Sequence, residues 1–224
     1  MSSPIHIPSR RLFLASAAIP LFTVRGAFAN LIEDLTKTPA QTEGPFYPNK
    51  LPLDTDNDLI VINEEITPAV GEITHLTGKV LDAKGNPIKN ALVEIWQCDA
   101  NGVYLHTGDS DGKKDKQDRN FQGFGRFLTN ASGEYYFRTI KPVVYPQRPA
   151  PHIHVKVKLG RKELLCTQCY IKGHPGNAQD FVWKGVKEEK QRDSVTIEFA
   201  KMKGSKIGEL AAKFDVVVGV TPEG

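Results

Sequence analysis

Two histidines in Arg148-Pro-Ala-Pro-His152-Ile-His154-Val-Lys-Val are the residues of this chain best placed to hold a metal ion. From His152 onward the segment alternates and is rich in β-branched residues, which predicts a strand. Side chains two apart on a strand leave it from the same face, so both imidazoles would enter one space. A histidine alone is more often a surface or hydrogen-bonded core residue; a pair on one strand face beside a Pro-rich turn is a different signal.

The neighbours of the pair narrow the metal. No third histidine lies close by, there is no His-Glu-x-x-His, and no carboxylate stands ready for a two-histidine, one-carboxylate iron site. What accompanies the pair is tyrosine. Tyr145 follows Ile140-Lys-Pro-Val-Val144, and Tyr104 follows Trp96-Gln-Cys-Asp-Ala-Asn-Gly102, both where strands run out into loops. A phenol with a pKa of about 10 is a poor ligand for soft or divalent ions. Fe(III) is hard and highly charged enough to displace the phenol proton and bind phenolate. The candidate ligands are therefore Tyr104, Tyr145, His152 and His154, and the candidate cofactor is non-haem Fe(III). Tyr135 and Tyr136 fall within a strand and read as packing residues, while Tyr47 and Tyr170 remain candidates for pocket lining.

The elements that must position these groups are short and β-rich. Strands are predicted at Leu76–Leu81, Ala91–Trp96, Tyr135–Ile140, His152–Leu159, Leu164–Ile171, Ser194–Phe199 and Phe214–Val220, with turns at Asp82–Pro87 and Asn130–Glu134. Few helical periods interrupt them. The expected fold is all-β, an antiparallel β-sandwich with a prealbumin-like core over residues 76–224. Residues 30–75 form a loop-rich extension, with a short helical turn at 31–36 and turn formers packed into Thr42–Pro48 and Leu53–Asp58. Gly78-x-Val80-x-Asp82-x-x-Gly85-x-Pro87, Ala91-x-Val93 and Gly133-x-Tyr135-x-Phe137 resemble small prealbumin-like modules, many of them non-catalytic. Strand pattern alone would therefore give a binding or structural module.

Residues 1–29 read as an export signal. Ser9-Arg10-Arg11 precedes an uncharged apolar run to Val24, and Ala27-Phe28-Ala29 supplies the small-residue cleavage site. The apolar run is too short to span a bilayer, so no stable membrane anchor is expected after cleavage. The paired arginines resemble a twin-arginine address, whose route carries folded proteins, and the expected destination is the periplasm or the medium. Cleavage removes Arg10, Arg11 and Arg25 and no acid, so the formal +3 of the whole chain falls to a balance of 26 basic and 26 acidic side chains. A nucleic-acid partner has no electrostatic support. Cys98, Cys166 and Cys169 cannot all pair within the chain, and Cys166 and Cys169 should face opposite sides of their strand, as packing residues rather than a metal pair.

Set in order, several segments resemble the intradiol ring-cleavage dioxygenases, the protocatechuate 3,4-dioxygenase and catechol 1,2-dioxygenase group. They are Thr42-Glu-Gly-Pro-Phe-Tyr47, Glu94-Ile-Trp-Gln97, Gly102-Val-Tyr104, Asn120-Phe-Gln-Gly-Phe-Gly-Arg126, Gly133-Glu-Tyr-Tyr-Phe-Arg-Thr-Ile-Lys-Pro142, Tyr145-Pro146, His152-Ile-His154 and Thr167-Gln168. Each is weak by itself, and the ordered set is specific. The resemblance implies a ferric site of two tyrosinates and two histidines, with Tyr145 and His154 as the axial pair and Tyr145 released when substrate binds. It implies Arg148 and Gln168 as active-site groups able to stabilise developing negative charge. The substrates would be a small aromatic diol and O2, and the product a muconate-type diacid; an oligomer is compatible with it. One departure stands out. The family commonly reads Arg-x-x-His-x-His, whereas Arg148 lies four residues before His152.

Overall fold

Ten strands in two facing sheets carry the described part of the chain, residues 35–62, 67–108 and 114–221 of a computed structural model. All of these residues belong to one unit, Asp34–Gly224. The export signal and most of the helical turn expected near residue 31 lie outside the described residues.

The strands are β1 (Ile73–Leu81), β2 (Ala91–Trp96), β3 (Phe124–Leu128), β4 (Glu134–Ile140), β5 (His152–Leu159), β6 (Lys162–Ile171), β7 (Thr196–Ile197), β8 (Phe199–Lys201), β9 (Leu210–Lys213) and β10 (Val216–Val217). One sheet is centred on β1, with antiparallel β4 along one edge and β9 and β10 in tandem along the other; β8 extends it beyond β9. The second sheet runs β3-β2-β5-β6-β7. The all-β sandwich is as the turn spacing predicts. The long pairings are antiparallel, while β1–β9, β1–β10 and β6–β7 are parallel because the C-terminal strands return by long connections.

Period-two alternation gives β5 its two faces. Ile153, Val155 and Val157 point inward and are fully buried against the other sheet. Burial of each such side chain contributes about 1.5–3 kcal/mol. His152, His154, Lys156 and Lys158 therefore leave the outer face. There they meet Tyr170, Gln168 and Cys166 of β6 and Trp96 and Glu94 of β2, all in register. At His152, His154 and Lys156 that outer face is buried. The extension crosses it, and Gln41 N–H bonds the Cys166 carbonyl as an added edge to β6.

Two expected strands are corrected. Ser194 ends a short helix (α2, Glu189–Ser194) that follows α1 (Phe181–Gly185), and only Thr196–Ile197 then pairs with β6, Phe199 belonging to the other sheet. Of Phe214–Val220 only Val216–Val217 forms a strand. Two strands had no clear sequence signal, β3 and β9. In β3 the pattern is broken by Gly125, where a Cβ would sit 2.7 Å from the Asp56 carbonyl, so close approach of the extension requires glycine there.

Candidate active site

His152 and His154 converge as the strand period requires. Their Nε2 atoms lie 3.2 Å apart, and the Tyr104 hydroxyl is 3.2 Å from His154 Nε2. Nδ1 of His152 is 2.7 Å from the Ala150 carbonyl. A carbonyl only accepts, so Nδ1 carries the proton and Nε2 turns a lone pair inward. His154 is held differently. Trp96 stacks on its ring at 4.7 Å, and its Nδ1 is buried with no hydrogen-bond partner among the described residues.

Tyr104 reaches the histidines from the loop after β2. Asp99 shapes that loop by accepting the Asn101 and Val103 N–H groups on one oxygen and the Asp118 N–H on the other. Tyr145 comes from the loop after β4, at a tight turn in which Tyr145 and Arg148 exchange main-chain hydrogen bonds. Its ring lies edge-on to Tyr104, centroids 5.2 Å apart, and tilted against His152 at 5.7 Å. Of the four groups, Tyr145 is the most exposed, at 9% against 1–2% for the others. It borders an open depression of about 570 Å³ lined also by Val144, Pro146, Arg148 and Pro149.

Burial dominates the protonation of all four. It pushes the His152 imidazolium down to about 3, helped by the Arg148 cation, and takes His154 lower than its ordinary value for the same reasons. Both are neutral, as ligands must be. Burial also raises Tyr145 to about 12 and Tyr104 well above the usual phenol value. These phenols stay protonated unless a strong positive charge offsets the desolvation.

The extra residue before the histidines does not carry Arg148 away. The loop at Pro149–Pro151 absorbs it, and Arg148 Nη1 lies 3.5 Å from His152 Nε2. Its guanidinium is gripped by Asp180, through Nε at 2.6 Å and Nη2 at 2.8 Å. Asp180 also caps α1 by accepting the Val182 and Trp183 N–H groups. Burial alone would raise the Asp180 carboxyl and lower the Arg148 guanidinium, but their mutual bonds reverse both shifts, so the pair is ionised. Gln168 accepts from Arg148 Nη2 at 2.9 Å and from the Tyr170 hydroxyl at 2.9 Å, and donates to the Thr42 carbonyl.

Several participants escape sequence reading. Asp180 is remote in sequence and carries no motif. Gln41 reaches the Tyr170 hydroxyl, and Phe46 stacks on Tyr104 at 5.0 Å, both from within or beside the Thr42–Tyr47 segment. Tyr170, left as pocket lining, joins the arginine network; Tyr47 instead packs on Trp96 and donates to Glu94. Tyr135 is a packing residue, its hydroxyl donating to the Phe214 carbonyl. Cys166 and Cys169 are buried free thiols in different apolar clusters, on opposite faces of β6.

Residues 42–219 match the model of a protein family described as Dioxygenase. The chain is 36% identical to the protocatechuate 3,4-dioxygenase beta chain of Burkholderia cepacia over 172 residues, which is 73% of this chain and 71% of that one. The chain belongs to the intradiol ring-cleavage dioxygenases. It is also 27% identical to the catechol 1,2-dioxygenase of Candida albicans, over 92% of this chain and 69% of that one. Among solved structures, the dioxygenase domain of a dioxygenase carbohydrate-binding protein fusion from Streptomyces sp. SirexAA-E superposes with a TM-score of 0.61 at 28% identity, covering 83% of this chain and all of that domain. As an intradiol dioxygenase the chain is an oxidoreductase of catechol-type ring cleavage, and the reading as a non-catalytic module falls away.

The donor set suits the iron on which such dioxygenases generally depend. Among the described residues no three His, Cys, Asp or Glu side chains converge, and the groups that meet the two imidazoles are phenols. Two neutral imidazole nitrogens and a phenol oxygen at 3.2 Å spacings match the separation of neighbouring ligands at metal–nitrogen distances of about 2.0–2.1 Å.

Proposed function

We propose that this dioxygenase is an exported non-haem Fe(III) enzyme that cleaves a catechol-type diol between its two hydroxyl-bearing carbons with O2, giving a muconate-type diacid. The observation that carries the reading is the meeting of His152 Nε2, His154 Nε2 and the Tyr104 hydroxyl at 3.2 Å spacings, with Tyr145 against two of them. Tyr104, Tyr145, His152 and His154 would hold the metal. Bound ferric iron would supply a Lewis acid for the diol oxygens and the one-electron character that lets O2 meet a closed-shell ring.

The protein's own part follows from placement. Tyr145, the group that borders the depression, is the one an incoming diol reaches first, and its oxygen, once ionised, would accept a diol proton. Buried His152 and His154 are neutral and compete for no proton. Arg148 Nη1 beside His152 stabilises negative charge building on the substrate, and Gln168 holds the guanidinium in place. Packed loops and the extension keep water from the ligands. The twin-arginine leader supports export after metal insertion. Relatives named as alpha and beta chains make assembly with further chains part of the same reading.

Iron analysis, visible spectroscopy and oxygen uptake test it together. Purified protein should hold about one iron per chain, show the reddish tyrosinate-to-iron band and consume O2 with catechols. Tyr145→Phe should shift that band. A colourless iron-loaded protein, or an unchanged spectrum in the variant, would overturn the ligand assignment.

A further inference from the structure

We infer that Asp180 sets the charge preference of this site: by occupying the fork of Arg148 it directs the enzyme to diols whose ring substituents are uncharged. The inference rests on the ring-cleavage reading and refines its substrate class. An arginine recognises a carboxylate best with two parallel N–H donors. In Arg148 both edges of that kind are spent. Nε and Nη2 close on the two oxygens of Asp180, at 2.6 and 2.8 Å, and Nη2 also gives to Gln168. Only Nη1, beside His152, remains toward the site. One donor can hold a diol or carbonyl oxygen, but it cannot form the paired contact an aryl carboxylate needs. The net charge of the Arg148–Asp180 pair is zero, so it gives such a substrate no attraction at a distance either.

Arg148 is the one Lys or Arg among the described residues that line the depression. The depression that Tyr145 borders is lined by Val144, Pro146 and Pro149 and by the uncharged Gln179 and His174, and Val144 and Phe181 stand 51% and 68% exposed. Phe181 lies against the guanidinium, 5.4 Å from its ring centroid, and closes that side with an apolar face. His174 accepts the Gly176 N–H on Nδ1, which makes it a neutral imidazole. Lys114 spends its ammonium on the main-chain carbonyls of Tyr104 and His106, and Lys156 on Glu43 and Glu163. A methyl-sized or unsubstituted ring edge meets Val144, Pro146 and Pro149 there; a carboxylate would meet no cation but the Asp180-paired Arg148, and would trade water for weaker partners.

Oxygen uptake with the iron-loaded enzyme on catechol, 4-methylcatechol and protocatechuate is the test. Wild type should favour 4-methylcatechol over protocatechuate in kcat/KM by about tenfold or more, the worth of one charge-assisted pairing. Asp180→Asn keeps the helix cap but leaves the Arg148 cation unneutralised beside the site, and should move that ratio about tenfold toward protocatechuate through KM. A wild-type preference for protocatechuate overturns the inference while leaving ring cleavage intact, and it needs no variant to be seen. A folded Asp180→Asn enzyme with an unchanged ratio overturns it too. Failure to consume O2 with any of the three would remove the ring-cleavage reading itself, and this inference with it.

Discussion

The indole of Trp96 lies flat against the imidazole of His154, ring centroids 4.7 Å apart and planes 10° from parallel. The two residues are cross-strand partners on β2 and β5, so the sheet register itself creates the stack. Lys156 Nζ lies over the other aromatic surface of this cluster, 4.3 Å from the Tyr47 centroid and 5.6 Å from that of Trp96. With no hydrogen bond at Nδ1, His154 depends on this stack for the angle of its ring.

Replacing Trp96 should therefore affect the metal as well as the core. Trp96→Leu is expected to weaken iron binding about tenfold or more, in the range for loss of a ligand's supporting partner. It should also cost about 3 kcal/mol of stability through the volume lost. Chelator competition and denaturant unfolding measure the two effects separately. Wild-type iron affinity in a folded variant would show that the stack does not orient His154.

Gly102 couples the two tyrosine loops. It has φ +76°, and a Cβ there would lie 3.3 Å from both Tyr145 Cβ and the Val144 carbonyl. Gly204 has a similar φ of +82° with nothing within 4 Å. Each Gly→Ala change should cost about 1–2 kcal/mol for the left-handed backbone. Only Gly102→Ala should also shift the visible band, because only there does the new methyl press on Tyr145. Identical spectra in both variants would contradict the coupling.

Metal-free protein should lose stability as the pH falls from about 6.5 toward 3. The unfolded chain protonates its histidines near 6.5, whereas burial holds His152 neutral down to about 3 and His154 lower than its ordinary value. Below 6.5 the unfolded state binds more protons, and stability declines by up to about 1.4 kcal/mol per pH unit for each such histidine. Replacing either histidine by Gln should flatten the slope. Ferric uptake has the opposite proton balance: two protonated phenols must ionise, so binding should release about two protons and strengthen with pH. Calorimetry in buffers of different ionisation enthalpy reads that number.

Glu94 is fully buried yet ionically satisfied, with Arg126 at 3.0 Å, Lys158 at 2.7 Å and the Tyr47 hydroxyl at 3.0 Å. Both cations reach water, with side chains 33% and 27% exposed, so each single removal leaves Glu94 one cation and one hydroxyl. Arg126→Ala together with Lys158→Ala should cost more than the sum of the two by about 1 kcal/mol or more, because only the double variant strands the carboxylate. An additive double-mutant cycle would refute this.

All three thiols should resist modification in the native enzyme. Burial takes Cys166 up to about 12 and Cys169 above its usual range, and the two point away from each other. Mass spectrometry after alkylation should find three slow thiols in the folded protein and three fast ones in denaturant, with no disulfide.

The amino-acid sequence determined what obeys short periods and local chemistry. Alternation placed His152 and His154 on one face of β5 and hid Ile153 and Val155 on the other, because a strand's side-chain period is exact over neighbouring residues. Turn-forming residues bounded β2, β4, β5 and β6 closely. Tyrosine near the histidine pair suggested a hard, oxidised metal, because an ordinary phenol gives up its proton only to a strongly charged partner. Where close packing interrupted the pattern, as at Gly125, the strand went unread, and around the two-residue β7 and β10 the local signal ran longer than the pairing the sheets allow. Tertiary structure alone decided the rest. It brought Tyr104 from a distant loop to within 3.2 Å of His154 and laid Gln41 along β6. It also set Asp180 in the fork of Arg148. The spacing before His152 made Arg148 look out of step, and only the loop and its buried carboxylate partner bring it back beside the pair. Such contacts join segments tens of residues apart. They follow from which surfaces pack together, and that is a property of the whole sandwich.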